Sequence, residues 1–182
     1  ELGRLVMQTQ MHLENVVQQY DTEEKRRFYS QVMGDGTNNI HFGLWDGIDL
    51  AAVGSFGYAS EKITQWMWEK AASMCPAHRT NARTIRYIDL GAGTGCAARW
   101  ICGQDLRVKA KCVNICRNQN RENRTLSDEA GLGSQITVET GSFERLASEY
   151  ANHFDGCFSQ DSFIHAFNKE HAFAEAYRVT KG

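Results

Sequence analysis

Three glycines at alternate positions, Gly91, Gly93 and Gly95, with Ala92 between the first two, follow an apolar run from Ile85 to Ile88 and an aspartate, Asp89. The segment from Cys96 to Ile101 then opens like a helix. Glycine lets a backbone take positive φ and lets a ligand approach without meeting a Cβ. The start of a helix adds free N–H groups and the positive end of a dipole. A carboxylate such as Asp89, at a strand's carboxyl end, can hold an ammonium or a hydroxyl. The spacing is G-x-G-x-G, one residue shorter than the G-x-G-x-x-G that cradles a dinucleotide pyrophosphate.

More polar residues stand where further strands should end. Asn114 comes 19 residues after Gly95 and is followed by Ile115. Its amide can accept and donate hydrogen bonds but lacks the charge of an acid; capping the next helix is its structural alternative. Gly141-Ser142-Phe143 follows a third strand, with Phe143 equally suited to a core. Ser159-Gln160-Asp161-Ser162-Phe163-Ile164-His165 follows a fourth. Asp161 and His165 are four residues apart, so one helical turn brings them to the same side. Imidazole titrates near neutral pH, which makes His165 the best proton acceptor among the six histidines. His12, His78, His153 and His171 read as surface or capping residues.

These residues need a scaffold. The pattern from Ile85 onward alternates strands and helices: strands near 85–88, 107–115, 135–139 and 154–160, and helices from Cys96, over 116–130, near 143–150 and over 169–179. That order predicts an α/β fold with a parallel sheet and helices on both faces. Residues 1–75 read as a helical preface and 76–182 as the α/β domain. In the preface, Leu13, Val16, Val17 and Tyr20 share one helical face. Asp21 and Glu24 suggest a capping box for a helix from Thr22 to Met33. Gly34 to Asn39 is turn chemistry, and Ser60 suggests the cap of a third helix burying Ile63, Trp66, Met67, Ala71 and Met74. Pro76 to Arg83 reads as a linker, and Phe173 is expected inward on the last helix.

Composition narrows the classes. With 182 residues, a formal net charge of -2 and 23% charged residues of both signs, one domain with no nucleic-acid footprint is expected. No apolar run approaches a membrane span, so no membrane partner is expected. Six cysteines without a C-x-x-C pair read as free thiols in a reducing, cytoplasmic setting, with organelle targeting of a longer precursor left open.

The acid before the compressed glycine motif resembles motif I of the class I S-adenosylmethionine (SAM) methyltransferases, in which the loop wraps the methionine part of SAM. Gln19-Tyr20, Phe28-Tyr29, Ile40-His41-Phe42-Gly43, Asn114-Ile115, Gln119-Asn120 and Ser159-Gln160-Asp161 narrow the likeness to the sarcosine/dimethylglycine N-methyltransferases that make glycine betaine. The phosphoethanolamine N-methyltransferases are similar in the same places. The resemblance implies a Rossmann-like class I methyltransferase fold with an N-terminal helical lid, with the last strands of the family's sheet absent here. It implies SAM as cofactor and a small amine, sarcosine or dimethylglycine, as acceptor; a thioether sulfur, phosphoethanolamine or a ring carbon is the alternative acceptor. Ile40, His41, Asp89, Gly91, Ala92, Gly93, Gly95, Asn114, Ile115, Gln119, Ser142, Phe143, Gln160 and Asp161 would lie at the cofactor. Tyr20 would stand in the lid beside His165, and Tyr29 would face the acceptor. A SAM-binding regulatory subunit and a nicotinamide oxidoreductase are competing readings, the latter disfavoured by the glycine spacing and by Asn114. The oligomeric state, a homodimer included, is left open.

Overall fold

The computed structural model describes residues 2–33, 41–80 and 82–182. Four strands, β1 (Ile85–Leu90), β2 (Val108–Asn114), β3 (Ile136–Thr140) and β4 (Gly156–Phe158), form a sheet in the order β3-β2-β1-β4. Every pair is parallel. The chain moves outward from β1 to β3 and then returns to the other side of β1 for β4. That reversal opens a crevice at the carboxyl ends of β1 and β4, where open α/β sheets bind ligands.

Alternate residues of β1 serve two cores, because successive side chains of a strand point to opposite faces. Ile85 and Tyr87 join Val108, Ala110 and Cys112 of β2 under α3 (Ser55–Met74) and α5 (Cys96–Gln104), with Trp68, Ala98 and Ile101 inserted. Ile88 and Leu90 join Val113, Leu146 and Phe154 on the other face, sealed by Val179 of α7 (Lys169–Val179). Burial on both faces explains why Tyr87, Ile88 and Leu90 are all apolar, with exposed Arg86 confined to the start of the strand. The α6 helix (Arg117–Glu129) packs along β3, and Gly131 after it takes φ 70°. In front of this unit come α1 (Leu2–Tyr20), α2 (Glu23–Phe28) with a π turn over Tyr29–Met33, and the one-turn α4 (Pro76–Arg79).

Several expectations change. β1 continues through Asp89 to Leu90, and β4 is only three residues long. Ser159 leaves the β4 ladder because its hydroxyl donates to the Leu90 carbonyl at 2.9 Å. Between β3 and β4 the only helical turn is a 3₁₀ turn over Ser148–Tyr150. The third helix starts at Ser55 after Gly54, not at Ser60. Its buried stripe is Ala59, Ser60, Thr64 and Trp68, while Trp66 and Met74 are exposed. The small residues face inward because the backbone of Gly43 lies so close that a Cβ there would stand 2.4 Å from the Ala59 side chain. Thr22, not Asp21, caps α2, accepting from the Lys25 N–H at 3.3 Å. The expected linker contains α4, with Pro76 at its first turn, where the missing N–H costs nothing. Phe173 is exposed on α7, its ring edge-on to Phe163. His78 is no surface residue: it lies against Trp68, 3.2 Å from the Tyr87 hydroxyl. The turn expected at Gly34 to Asn39 lies outside the described residues. No helix among the described residues is long and apolar enough to cross a membrane, and all six cysteines are free.

Gly95 precedes α5 at φ 78°. A Cβ there would meet the carboxamide of buried Asn123 at 2.1–2.4 Å. Gly95→Ala should therefore combine left-handed strain with overpacking and lose roughly 2–4 kcal/mol, measured as a lower urea midpoint at unchanged m-value.

Candidate active site

A cavity of about 360 Å³ opens at the carboxyl rim of the sheet. The glycine loop forms its floor through Gly91, Ala92, Gly93 and Thr94. Gly91 sits at φ 81°, and a Cβ on it would lie 2.3 Å from that of Ser162. The two segments are this close because Ser162 and Ser159 both donate to the carbonyl of Leu90, at 2.6 and 2.9 Å. The hydroxyl pair staples the turn after β4 to the glycine loop.

Asn114 and Ile115 form the wall at the end of β2. The Asn114 Nδ2 donates to Gln119 Oε1 at 3.0 Å, so the one remaining side-chain polar atom, Oδ1, is an acceptor. Its carbonyl accepts from Asn120 Nδ2 at 2.9 Å. An amide whose N–H₂ is engaged by a buried glutamine presents an oxygen without ambiguity, which suits a pair of ligand hydroxyls. Ser142 and Phe143, after β3, form the adjoining wall. Phe143 stacks on Phe163 at 5.1 Å, so it belongs to the core and to the cavity at once.

The turn after β4 brings the remaining polar groups. Gln160 is 7% exposed, its Oε1 accepts from Thr64 of α3 at 3.0 Å, and its buried Nε2 has no protein partner. A desolvated donor of this kind calls for an acceptor in the cavity. Asp161 is left-handed at φ 55° and its carboxylate accepts from the Phe42 N–H at 2.9 Å. His41 lies 3.8 Å from the same oxygen; burial outweighs that attraction and drives its pKa down to about 4.

His165 and Tyr20 meet across the mouth, with 2.7 Å between the phenol oxygen and Nε2. Tyr29 stacks on Tyr20 at 5.1 Å. Burial, followed by the field of Tyr29, pushes the Tyr20 hydroxyl up to about 12. Burial, then His12 and Lys169, holds His165 below its ordinary range. Both groups are thus neutral near pH 7 and share a short hydrogen bond, with the imidazole the more basic of the two. His12, expected at the surface, instead places its Nε2 2.8 Å from the His165 carbonyl and fixes the other end of that residue.

Tyr20, Tyr29, His41, Gln119 and Asp161 line this one cavity together with the glycine loop, Asn114, Gln160 and His165. Two expected residues do not line it. Gly95 is turned against Asn123, and Asp89 is 5% exposed with one carboxylate oxygen unpartnered, its pKa raised by burial to about 7. Its carboxyl therefore lies outside the cavity lining, at the end of β1 just ahead of the glycine loop. Ile40 lies outside the described residues. Sequence reasoning missed Thr64, whose role rests on a contact 96 positions away. It also missed Leu13 and Val16, which line the cavity from α1 and had been visible only as an apolar face. Among the described residues, no cluster of three His, Cys, Asp or Glu side chains could hold a metal ion.

The methyltransferase domain family model matches residues 88–182. The sarcosine/dimethylglycine N-methyltransferase of Aphanothece halophytica is 32% identical over 159 residues, which cover 87% of this chain and 55% of that protein. The glycine/sarcosine/dimethylglycine N-methyltransferase of Actinopolyspora halophila is 34% identical over 162 residues, 89% of this chain and 26% of the relative. A crystal structure from Galdieria sulphuraria, described as a sarcosine dimethylglycine methyltransferase, superposes with a TM-score of 0.70 at 34% identity, covering 89% of this chain and 56% of that one. The chain thus spans about half the length, or less, of these relatives. With the parallel sheet, the glycine loop and the family match in agreement, the chain belongs to the methyltransferase domain family, the class I SAM-dependent methyltransferases.

Proposed function

We propose that this chain forms the SAM-binding part of an enzyme that methylates a small amine, sarcosine or dimethylglycine on the way to glycine betaine. The observation that carries the reading is the neutral Tyr20–His165 pair, 2.7 Å apart at the mouth of the cavity. An amine can attack only through a free lone pair, so an ammonium acceptor must first lose a proton. Tyr20 can take that proton as it gives its own to His165 Nε2.

The residues fit the cofactor. Asn114 offers an acceptor for ribose hydroxyls, Ile115 an apolar face for the adenine, and Ser142 and Phe143 a polar and an aromatic neighbour for the base. The unpartnered Nε2 of Gln160 offers a donor for the cofactor's carboxylate. When bound, SAM supplies a methyl group already activated on a sulfonium. The protein's part is to hold nucleophile, carbon and sulfur in line, exclude water and accept the proton. The helices ahead of α3 act as the lid: α1 lays Leu13, Val16 and Tyr20 over the cavity, and Asp161 pins Phe42 beside it. The stacked rings of Tyr20 and Tyr29 give the cavity an aromatic surface that tolerates a cation, on sulfur before transfer and on nitrogen after it.

A second reading, methylation of a thioether sulfur, has its own support. Leu13, Val16, Phe42 and Ile164 make much of the wall apolar, and among the described lining residues no Lys or Arg stands ready for an acceptor carboxylate. A thioether needs no base, which separates the two readings. With amine substrates, Tyr20→Phe and His165→Ala should each lower kcat by about 10²- to 10⁴-fold. Affinity for S-adenosylhomocysteine, measured by calorimetry, should stay within a few-fold. Full turnover of a thioether by His165→Ala, with no amine turnover by the wild-type chain, would transfer the assignment to sulfur.

The pH profile supplies a further check. His165 must be neutral to receive the proton, and its pKa lies below the usual 6.5. Its acid limb in kcat should therefore fall only below pH 6.5 and should disappear in His165→Ala. A limb above 7 that persists in that variant would belong to the acceptor nitrogen instead.

A further inference from the structure

The amino end of α6 has no side-chain cap of its own, since Cys116 at the N-cap position makes no capping bond. The acceptor arrives from the far end of the chain. The Asp21 carboxylate, directly after α1, takes the N–H of Asn118 at 3.0 Å and that of Gln119 at 3.2 Å through one oxygen. The Asp21 carbonyl accepts from Asn118 Nδ2 at 3.0 Å. A carboxylate on the first N–H groups of a helix is well matched to both the orphan donors and the dipole. Nearby, Arg26 of α2 pairs with Glu122 of α6 at 3.4 Å.

Gln119 is the pivot. Its backbone is held by Asp21, while its side chain holds Asn114 Nδ2 and so turns the Asn114 oxygen outward. One residue earlier, Tyr20 is bonded to His165 on the opposite wall. Two adjacent residues therefore fasten α1 to both sides of the cleft.

We propose that Asp21 is a positioning residue that couples docking of the N-terminal helices to assembly of the nucleoside pocket: by capping α6 it fixes Gln119 and, through it, the ribose-facing amide of Asn114. The coupling rests on the SAM reading above. It makes the lid part of the cofactor site, so the ribose side is complete only when the lid is down. It also predicts an asymmetry within the dipeptide, Tyr20 serving proton transfer and Asp21 serving cofactor affinity.

The test uses the full chain with Asp21→Ala and Asp21→Asn, titrated with S-adenosylhomocysteine and with 5′-methylthioadenosine, which lacks the amino-acid end. Asp21→Ala should weaken both ligands by the same factor, about tenfold, the equivalent of one lost cap. Asp21→Asn, which keeps one acceptor oxygen, should recover most of that. In turnover the loss should fall on the KM for SAM more than on kcat, the reverse of Tyr20→Phe. Without ligand, trypsin should cut at Lys25, Arg26 or Arg27 faster in Asp21→Ala than in the wild type. Wild-type affinity of Asp21→Ala for both ligands would overturn the coupling. So would a loss confined to S-adenosylhomocysteine, which would place the effect at the amino-acid end. Failure of the wild-type chain itself to bind either ligand would instead remove the SAM reading.

Discussion

Unpaired backbone N–H groups at the rim of a parallel sheet have to find acceptors, and in this chain carboxylates supply them from distant segments. Asp21 caps α6. Glu144 takes the N–H groups of Phe167 and Asn168 at 3.0 and 2.7 Å, just ahead of α7. Asp161 takes that of Phe42, and at the opposite, amino end of β1 Asp155 takes that of Arg86 at 2.8 Å. Each bond satisfies a donor that secondary structure leaves over, and each is strengthened by the acceptor's charge. The bonds of Asp21, Glu144 and Asp161 tie residues before β1 and after β3 to the carboxyl rim, which is why one cavity can draw on seven stretches of chain.

The same economy orients the cavity's neutral groups. Asn114 and Gln160 are amides that sequence alone leaves free to present either end. A buried partner fixes each one: Gln119 occupies the donor of Asn114, and Thr64 occupies the acceptor of Gln160. What is left over is an oxygen on the β2 side and an N–H₂ on the β4 side. A ligand carrying hydroxyls at one end and a carboxylate at the other matches that polarity with neutral side chains alone. Preorganisation of this kind costs nothing at the moment of binding, because the amides already sit in their bound orientation.

Local chemistry made the fold legible. Glycines at 91, 93 and 95 all take positive φ, the strand order follows from the alternation of elements, and Gly131 ends α6 as its position suggests. Where one residue type has two uses, sequence is ambiguous. Ser60 looks like a cap, yet its helix is decided by close packing at Ala59, which required knowing where Gly43 passes. Asp21 begins a capping box on paper, but its carboxylate finds better-placed donors on α6, 97 positions on, and Thr22 takes the local duty. His12 and His165 are 153 positions apart, and no periodicity reports such a contact. The cavity's residue types were readable; the contacts that aim them were not.

The charge pattern then bears on where catalysis by such a site must come from. His41 and His165 are held neutral and Tyr20 is held protonated, while Asp161 and Glu144 supply the formal charge among the described lining residues. Under the proposed reaction a positive charge moves from sulfur to nitrogen over a bond's length. A field that favours a cation favours it at both positions, so it lowers substrate, transition state and product nearly alike. Interactions equal in ground and transition states do not accelerate the chemical step. Acceleration has to come from collinear placement and from removal of the acceptor's proton, and both depend on the α1 helix lying across the mouth. Tyr20 supplies the proton path only in that position. The Tyr20–His165 bond that docks the helix on one wall therefore bears on the rate, while the Asp21 cap on the other bears on cofactor affinity.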